Sequence, residues 1–273
     1  PFGFIAENRE DNNNGTGLMN VRGYGLDLAC APASLYTDPG KKADFSVQVF
    51  NKGNTIDNYS LAIETPPPGN WNASIETTQL QLGKSGNRSV RVSVTPPPIS
   101  PAFDKAITKV RVKSLGNQSY TAVVNLTVTV NQVYGIGLTA NTTDKWVMPG
   151  QMLTYAITVA NTGNGPDSVT LAVGTPPEGW KGWLSDTYLV LQSGAASNLT
   201  MSVASPQGAV AFSAATFKIS STSGNNTKRY LNVTAKVIQI AAIELQLANG
   251  PDTVNPGDKA EYIIRIKNPG NSD

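Results

Sequence analysis

The residues of this sequence most suited to covalent chemistry are asparagines in Asn-x-Ser/Thr sequons, the acceptor pattern for N-linked glycans. The chain has 25 Asn among 273 residues, and Ser and Thr together number 47. Roughly four sequons would arise by chance in such a composition, whereas ten occur. The ten acceptors are Asn14, Asn58, Asn72, Asn87, Asn117, Asn125, Asn141, Asn198, Asn225 and Asn232. We therefore expect N-glycosylation and an extracellular location, while a β-protein rich in Asn and Thr also generates sequons by composition alone.

The rest of the sequence lacks the residue types that most catalysis requires. The chain contains no His, which is the commonest general base and the commonest transition-metal ligand. No motif places two acids as an acid/base pair, and no nucleophile has a His to activate it. We expect a protein that is not an enzyme.

Carboxylates recur at one position of the sequence. Asp57 and Asp167 each follow an Asn-x-Gly-Asn motif by the same spacing, and Asp273 falls at the matching position after a third copy. A side chain here can cap the amides of a turn. No calcium-loop spacing occurs, so we expect no cofactor; a structural calcium ion at these carboxylates is the weaker alternative.

Three aromatic residues lie close together in the stretch GWKGWLSDTY: Trp180, Trp183 and Tyr188. They could form a platform on which sugar rings stack. The alternative is that Trp180, like Trp71 in a matching stretch, closes one end of a hydrophobic core after a Pro-rich turn. We favour the second interpretation for Trp180, because Trp183 has no counterpart near Trp71.

A repeated module carries these residues. The stretch DPGKKADFSVQVFNKGN at residues 38–54 returns as MPGQMLTYAITVANTGN at 148–164 and as NPGDKAEYIIRIKNPGN at 255–271. Each copy has Pro-Gly, a run of alternating apolar residues, and Asn-x-Gly-Asn. A period of two predicts a strand with one face on a core, and the flanking motifs predict turns in which Gly and Asn tolerate positive φ.

The alternation predicts which side chains point inward. The expected inward positions are Ala43, Phe45, Val47 and Val49 in the first copy, Leu153, Tyr155, Ile157 and Val159 in the second, and Ala260, Tyr262, Ile264 and Ile266 in the third.

The repeat also predicts the domain organisation. Pro39, Pro149 and Pro256 lie 110 and 107 residues apart. About seven short strands with intervening turns, and no helical period, predict an all-β fold of tandem β-sandwiches. We expect complete repeats at residues 23–132 and 133–238, the closing hairpin of a preceding repeat at 1–22, and the first strands of a further repeat at 239–273. The chain would then be a window on a longer array.

The composition limits the kinds of partner that we expect this chain to bind. The chain is 40% hydrophobic and 15% charged, with a net charge of +2. Its thinly spread Lys and Arg form no patch dense enough to indicate nucleic acid. No run of 18 apolar residues occurs, so we expect no membrane span in this segment. With one Cys there is no intrachain disulfide, and stability must come from packing.

The order of Pro-Gly, the alternating strand, Asn-Thr-Gly-Asn, Asp and Pro-Pro-x-Gly-Trp resembles Ig-like accessory repeats. These are the CARDB-type adhesion-related modules and the related domain attached to some bacterial alpha-galactosidases. The resemblance is fullest over 135–238, clear over 24–131, and limited to the opening strands after 240. It implies tandem immunoglobulin-like β-sandwiches, two complete repeats flanked by partial ones, that act outside the cell without catalysis. Such arrays are frequent in archaeal surface proteins, and the sequons with a near-absence of Cys favour an archaeal source.

Three functions fit these observations. The first is a structural segment of an N-glycosylated cell-surface, S-layer or filament protein, whose partners are other copies of itself or neighbouring surface proteins. The second is a carbohydrate- or ligand-binding accessory module of a secreted enzyme. The third is a filament subunit in which the N-terminal hairpin of one copy completes the C-terminal half-repeat of the next. Against the third, the two halves lack the middle strands that correspond to Asp57 through about Thr108.

Overall fold

The computed structural model describes residues 21–272, and within that range the chain is all-β, with twenty strands and no helix. The predicted all-β fold is therefore confirmed. The chain divides into two compact units. Unit 1 consists of residues 21–98 and Asp104–Val130, and unit 2 of Ile99–Phe103 together with residues 131–272.

Unit 1 contains nine strands in two sheets. They are β1 (Leu26–Cys30), β2 (Ser34–Thr37), β3 (Ala43–Asn51), β4 (Asp57–Thr65), β5 (Asn72–Ile75), β6 (Gln79–Leu82), β7 (Asn87–Thr95), β8 (Lys105–Ser114) and β9 (Thr121–Val130). One sheet has the order β1-β3-β7-β5 and the other β2-β9-β8-β4-β6. All neighbours pair antiparallel except β2, which pairs parallel with β9.

The core of unit 1 lies between its two sheets. Phe45 and Val47 of β3 pack in one cluster with Leu126 and Val128 of β9, which belongs to the opposite sheet. All four are at most 2% exposed. Because strand side chains alternate between faces, the period of two in the sequence becomes a buried inner face and an outer face in contact with water.

Unit 2 repeats this arrangement over a further nine strands. They are β10 (Ile136–Ala140), β11 (Asp144–Val147), β12 (Met152–Asn161), β13 (Asp167–Val173), β14 (Lys181–Leu184), β15 (Tyr188–Leu191), β16 (Ala196–Ala204), β17 (Ala214–Thr222) and β18 (Lys228–Val237). The sheets have the orders β10-β12-β16-β14 and β11-β18-β17-β13-β15, and β11 pairs parallel with β18. Both repeats thus have nine strands; the prediction of about seven missed two short strands in each, β2 and β5 in unit 1 and β11 and β14 in unit 2.

A final antiparallel hairpin of unit 2 consists of β19 (Glu244–Asn249) and β20 (Ile263–Lys267). It corresponds to β1 and β3 of unit 1 and to β10 and β12 of unit 2. Tyr262, Ile264 and Ile266 were predicted to face inward, but here they are 55%, 59% and 71% exposed. The prediction fails because no second sheet packs on this hairpin among the described residues.

The turns at the two ends of the repeated stretch differ in their physical basis. Gly40, Gly150 and Gly257 of the Pro-Gly turns have positive φ of 71°, 71° and 92°, as predicted. The glycines of the Asn-x-Gly-Asn motifs, in contrast, do not have positive φ. These glycines are required instead because the backbone of a linker packs closely against them.

The hairpin predicted at residues 1–22 lies almost wholly outside the described residues, as do Asn14 and Asp273.

Candidate functional site

The first asparagine of each Asn-x-Gly-Asn motif closes its own turn. Asn51 and Asn161 are each 1% exposed. The Oδ1 atom of Asn161 accepts a hydrogen bond from the Gly163 amide at 2.8 Å, and its Nδ2 donates to the carbonyls of Gly165 and Leu191 at 2.8 and 2.9 Å. Asn51 makes the equivalent bonds in unit 1. A fully satisfied buried amide of this kind holds one turn conformation.

The last asparagine of each motif binds the linker that enters the repeat, and we call Asn54, Asn164 and Asn271 the linker clamps. Oδ1 of Asn164 accepts a hydrogen bond from the amide of Val133 at 2.7 Å, while its Nδ2 donates to the carbonyl of Asn131 at 3.0 Å. Its backbone amide donates to the carbonyl of Val133 at 3.1 Å. One residue therefore satisfies three backbone groups of the linker.

The same three bonds occur at the other two clamps. Asn54 binds the backbone of Val21 and Gly23, and Asn271 binds the backbone of Ile238 and Ile240, with side-chain distances between 2.7 and 2.9 Å. In all three cases the two linker residues that are bound lie 33 and 31 residues before the clamp. The motif is therefore a linker-binding device as well as a turn.

The binding of the linker at each clamp explains why the motif requires a glycine. A Cβ atom on Gly53, Gly163 or Gly270 would clash with the carbonyl oxygen of Gly23, Val133 or Ile240, respectively, the residue that the clamp binds. Only Gly permits this close approach of two backbone segments. The sequence shows this glycine as a turn residue, but the linker determines its identity.

Two clamps also bind a loop that precedes the penultimate strand of a complete repeat. Nδ2 of Asn164 donates to the carbonyl of Ser100 at 3.1 Å, and the Asn164 carbonyl accepts from the amide of Ala102 at 2.8 Å. These loop residues belong to unit 2 together with Asn164. Asn271 makes the matching contacts with Ala209 and Ala211, at 3.4 and 2.9 Å.

These loops hold an aromatic residue in an unusual conformation. Phe103 and Phe212 have positive φ of 65° and 64°, and their side chains are 61% and 64% exposed. Positive φ is uncommon for a bulky residue. The ring of Phe212 contacts Trp146 edge to face, with centroids 6.4 Å apart. Phe103 and Phe212 were not predicted from the sequence; the signal that could have identified them was the Ala-Phe dipeptide at the same place in both loops.

The recurrent carboxylates are buried and fully hydrogen-bonded. Asp57 is 4% exposed; its Oδ2 accepts from the Ser114 hydroxyl at 2.6 Å, and its Oδ1 accepts from the amides of Asn58 and Gly116. Asp167 accepts from Ser223 and Gly224 in the same way. Each Asp thus ties the start of one strand to the hairpin turn of another. No cluster of three or more metal-ligating side chains occurs among the described residues.

Two buried tyrosines cross the cores. The hydroxyl of Tyr59 donates to the carbonyl of Gly25 at 2.9 Å, and burial together with the nearby Asp57 carboxylate raises the pKa of Tyr59. The hydroxyl of Tyr155 donates to the carbonyl of Thr234 at 2.7 Å, and burial and the charge of Asp144 raise the pKa of Tyr155 to about 12.

All nine sequon asparagines within the described residues are exposed, and Asn14 lies outside them. On β9 and β18, Asn125 and Asn232 occupy matching positions, directly opposite Lys109 and Lys218 on the neighbouring strands. Where a sequon side chain has a described hydrogen bond, as at Asn58, Asn117, Asn198 and Asn225, its Oδ1 is the acceptor. In those four, Nδ2, the atom that would carry a glycan, makes no hydrogen bond to a described residue.

The structure does not bring the three candidate sugar-stacking residues together. Trp180 is 9% exposed and packs edge to face on Phe217, with centroids 6.3 Å apart. Trp183 is on β14 and Tyr188 on β15, and these strands belong to different sheets. Trp183 and Tyr188 are 46% and 59% exposed. Each is therefore available singly, and no shared platform forms.

The described part of the chain has no helix of the length and apolarity needed to cross a membrane. Neither known protein-family profiles nor curated proteins give a match to the sequence.

Solved structures give distant likenesses. A protein of unknown function from Porphyromonas gingivalis is 18% identical, with 77% of this chain and 99% of that chain covered and a TM-score of 0.31. Domains 4 and 5 of the S-layer protein SbsC are 21% identical, with 53% and 69% covered and a TM-score of 0.28. A PapD-like domain of human CEP192 is 11% identical, with 48% and 96% covered and a TM-score of 0.32. At such TM-scores these likenesses carry no argument about function.

Proposed function

We propose that this chain is a non-catalytic structural segment of an extracellular, N-glycosylated cell-surface, S-layer or filament protein. The observation that carries the proposal is the linker clamp, which occurs at Asn54, Asn164 and Asn271 with the same three hydrogen bonds. A device that binds the linker at every repeat serves a protein whose repeats must follow one another in a defined manner. An isolated binding domain has no use for it.

The distribution of polar chemistry supports the same function. The buried polar side chains that recur, Asn51, Asp57 and their counterparts Asn161 and Asp167, are engaged in turns and strand ends. The nine sequon asparagines in the described part of the chain are exposed to solvent. Packing and turn geometry thus occupy the interior, and the outer faces offer attachment points for glycans. Glycans there would also shield exposed edge strands from association.

The mass of the native protein tests this proposal most directly. Intact mass spectrometry of material purified from its source should show glycan mass, and peptide mapping should place it on the exposed sequons. Enzymatic removal of the glycans should leave both units folded by circular dichroism. An unmodified native mass would contradict the glycosylated extracellular assignment.

A second candidate function, carbohydrate binding by an accessory module, depends on Trp183 and Tyr188. Their exposure favours it, whereas their location on different sheets and the burial of Trp180 weaken it. Binding on a glycan array that disappears in Trp183→Ala, and persists in Trp146→Ala, would support this candidate. Absence of binding across a broad array would exclude it.

A further inference from the structure

Unit 2 has two exposed aromatic side chains in contact, Trp146 of β11 and Phe212 of the loop before β17, which we call the aromatic pair. Trp146 is 57% exposed, and Phe212 is exposed to a similar extent. The ring planes are inclined at 88°. In an edge-to-face arrangement, the ring that supplies the edge keeps both of its faces free of the other ring. The contact between the two rings therefore leaves aromatic surface open to solvent.

The backbone holds Phe212 in place despite an unfavourable conformation. Its φ of 64° lies in the left-handed region, which a bulky residue rarely adopts. The Phe212 amide donates to the carbonyl of Val237 at 2.9 Å, and the Val237 amide donates to the carbonyl of Ser213 at 2.8 Å. The Ser213 hydroxyl donates to the carbonyl of Val210 at 2.6 Å. Hydrogen bonds thus fix an exposed ring in a strained position, and such positions concentrate at ligand sites.

The first repeat has aromatic residues at the same two positions of the sequence. Tyr36 of β2 corresponds to Trp146 of β11, and Phe103 in the loop before β8 corresponds to Phe212. Tyr36 and Phe103 are both exposed, and Phe103 also has positive φ. Because the loop of Phe103 precedes the complete second repeat, the exposure of this aromatic residue is a property of the loop itself.

Polar side chains border the aromatic pair on the outer face of the same sheet. Trp146 pairs with Lys236 of β18, and Asp144, two residues before Trp146, faces the same side. Asp144 Oδ1 lies 2.8 Å from Lys236 Nζ. Thr234, the partner of Asp144 in the ladder, has its hydroxyl 2.9 Å from that of Thr216. A carboxylate, an ammonium group and two hydroxyls therefore lie beside the exposed rings.

This combination of groups suits a saccharide. A pyranose ring has an apolar C–H face that stacks on an aromatic ring, and rim hydroxyls that both donate and accept hydrogen bonds. The two aromatic rings expose on the order of 300 Å² of apolar surface, well below the roughly 800 Å² per partner of a stable protein interface. A proline-rich peptide offers carbonyl acceptors but few donors, so it leaves the Asp144 carboxylate without a match.

We propose that the aromatic pair binds a saccharide, whose ring stacks on the aromatic surface and whose hydroxyls bond to Asp144 and Lys236. The sugar belongs either to a glycan carried by another copy of the chain or to a free polysaccharide, which present the same chemistry. One sugar ring, with about twelve non-hydrogen atoms, binds with a Kd on the order of 1 mM at ordinary ligand efficiency. The inference goes beyond the proposed structural function and does not require that this chain itself be glycosylated.

Titration of the full-length chain, produced without glycans, with cellotetraose, chitotetraose and mannotetraose tests the proposal. Two-dimensional NMR should show shifts at the Trp146 indole and the Phe212 amide. Trp146→Ala and Phe212→Asn should each weaken binding about tenfold or more. Asparagine tolerates the left-handed conformation, so the loop keeps its backbone. Trp183→Ala, at an exposed tryptophan of the other sheet, is the matched control and should bind like the unmodified chain.

Two further probes distinguish the sources of the sugar. Glycans released enzymatically from the native protein represent those carried by another copy, and polysaccharide extracted from the surface of the source cells represents the free polymer. Tighter binding of the released glycans assigns the site to contacts between copies. Tighter binding of the polysaccharide assigns it to attachment at the cell surface, and tandem sites would strengthen that attachment through multivalency.

Three results would overturn the proposal, provided that circular dichroism shows every variant to be folded. The first is that no oligosaccharide, released glycan or polysaccharide shifts the Trp146 and Phe212 signals at about 10 mM sugar. The second is binding that survives Trp146→Ala and disappears in Trp183→Ala, which would favour the accessory-module candidate. The third is binding of a decaproline peptide at the aromatic pair without binding of any saccharide. None of these results bears on glycosylation of the chain, which the native mass tests separately.

Discussion

The carboxylate of Asp57 accepts a hydrogen bond from the buried hydroxyl of Ser114 at 2.6 Å, and so links the start of β4 to the end of β8. The same carboxylate accepts hydrogen bonds from the backbone amides of Asn58 and Gly116. Removal of such an acceptor leaves one buried hydroxyl and two partly buried amides without a partner, which costs more than the bonds themselves contribute.

We therefore expect Asp57→Ala to destabilise unit 1 by about 2–4 kcal/mol. Chemical denaturation monitored by circular dichroism measures the change. Asp144→Ala is the control, because Asp144 is exposed and its ion pair with Lys236 lies at the surface; it should change the free energy of unfolding by less than about 1 kcal/mol. Equal effects of the two substitutions would contradict the assigned role of Asp57.

Replacement of Ser221 should stabilise unit 2. Its buried hydroxyl has no hydrogen-bond partner among the described residues, and Val112 occupies the equivalent position in unit 1. Ser221→Val should raise the free energy of unfolding by about 1 kcal/mol, since it removes an unpaired polar atom and adds apolar contact. Ser223→Val is the matched control and should destabilise, because the Ser223 hydroxyl donates to Asp167. A loss of stability in Ser221→Val would show that the hydroxyl has an unrecognised partner.

The linker clamp should control local opening of the linker. Asn164→Ala removes both side-chain bonds to the linker backbone at Asn131 and Val133. Hydrogen exchange at the Val133 amide should accelerate about tenfold or more, while exchange within β12 and β16 remains unchanged. Asn70→Ala, at an exposed turn position, should leave the Val133 amide unaffected. If hydrogen exchange at the Val133 amide were unchanged in Asn164→Ala, the Asn164 side chain would not hold the linker, and the proposed function would lose the observation on which it depends.

Alkaline pH should destabilise unit 2 through Tyr155. Its pKa is raised to about 12 in the folded state, against about 10 in an unfolded chain. The unfolded state therefore loses this proton first, and stability that is fully present below pH 10 decreases as the pH rises from about 10 to 12. The melting temperature of Tyr155→Phe should fall less over this range than that of the unmodified chain. Tyr188→Phe, at an exposed position, is the control and should follow the unmodified chain.

Strand parity was predictable from the sequence, because alternation is a local property. Phe45, Val47 and Tyr155 face the cores as their spacing predicted. The same logic failed for Ile264 and Ile266, because burial requires a second sheet and a strand pattern does not reveal whether one is present.

The linker clamps could not be predicted, since their partners are backbone groups. The atoms that Asn164 binds lie 31 and 33 residues away and carry no side-chain signature. The separation of Trp183 from Tyr188 was hidden for a related reason. Five residues apart in sequence, they belong to strands that join opposite sheets, and local patterns do not encode which sheet a short strand joins.

The parallel pairing of β11 with β18 affects how a repeat bears tension. An early strand and the last strand of the repeat run in the same direction, with Asp144–Val147 alongside Thr234–Val237. A pull on the two ends of the repeat therefore acts along this ladder rather than across it, and its hydrogen bonds must break together. Single-molecule stretching of the chain should reveal a high unfolding force for each complete repeat, and Val147→Pro, which removes a ladder donor, should lower one of the two peaks.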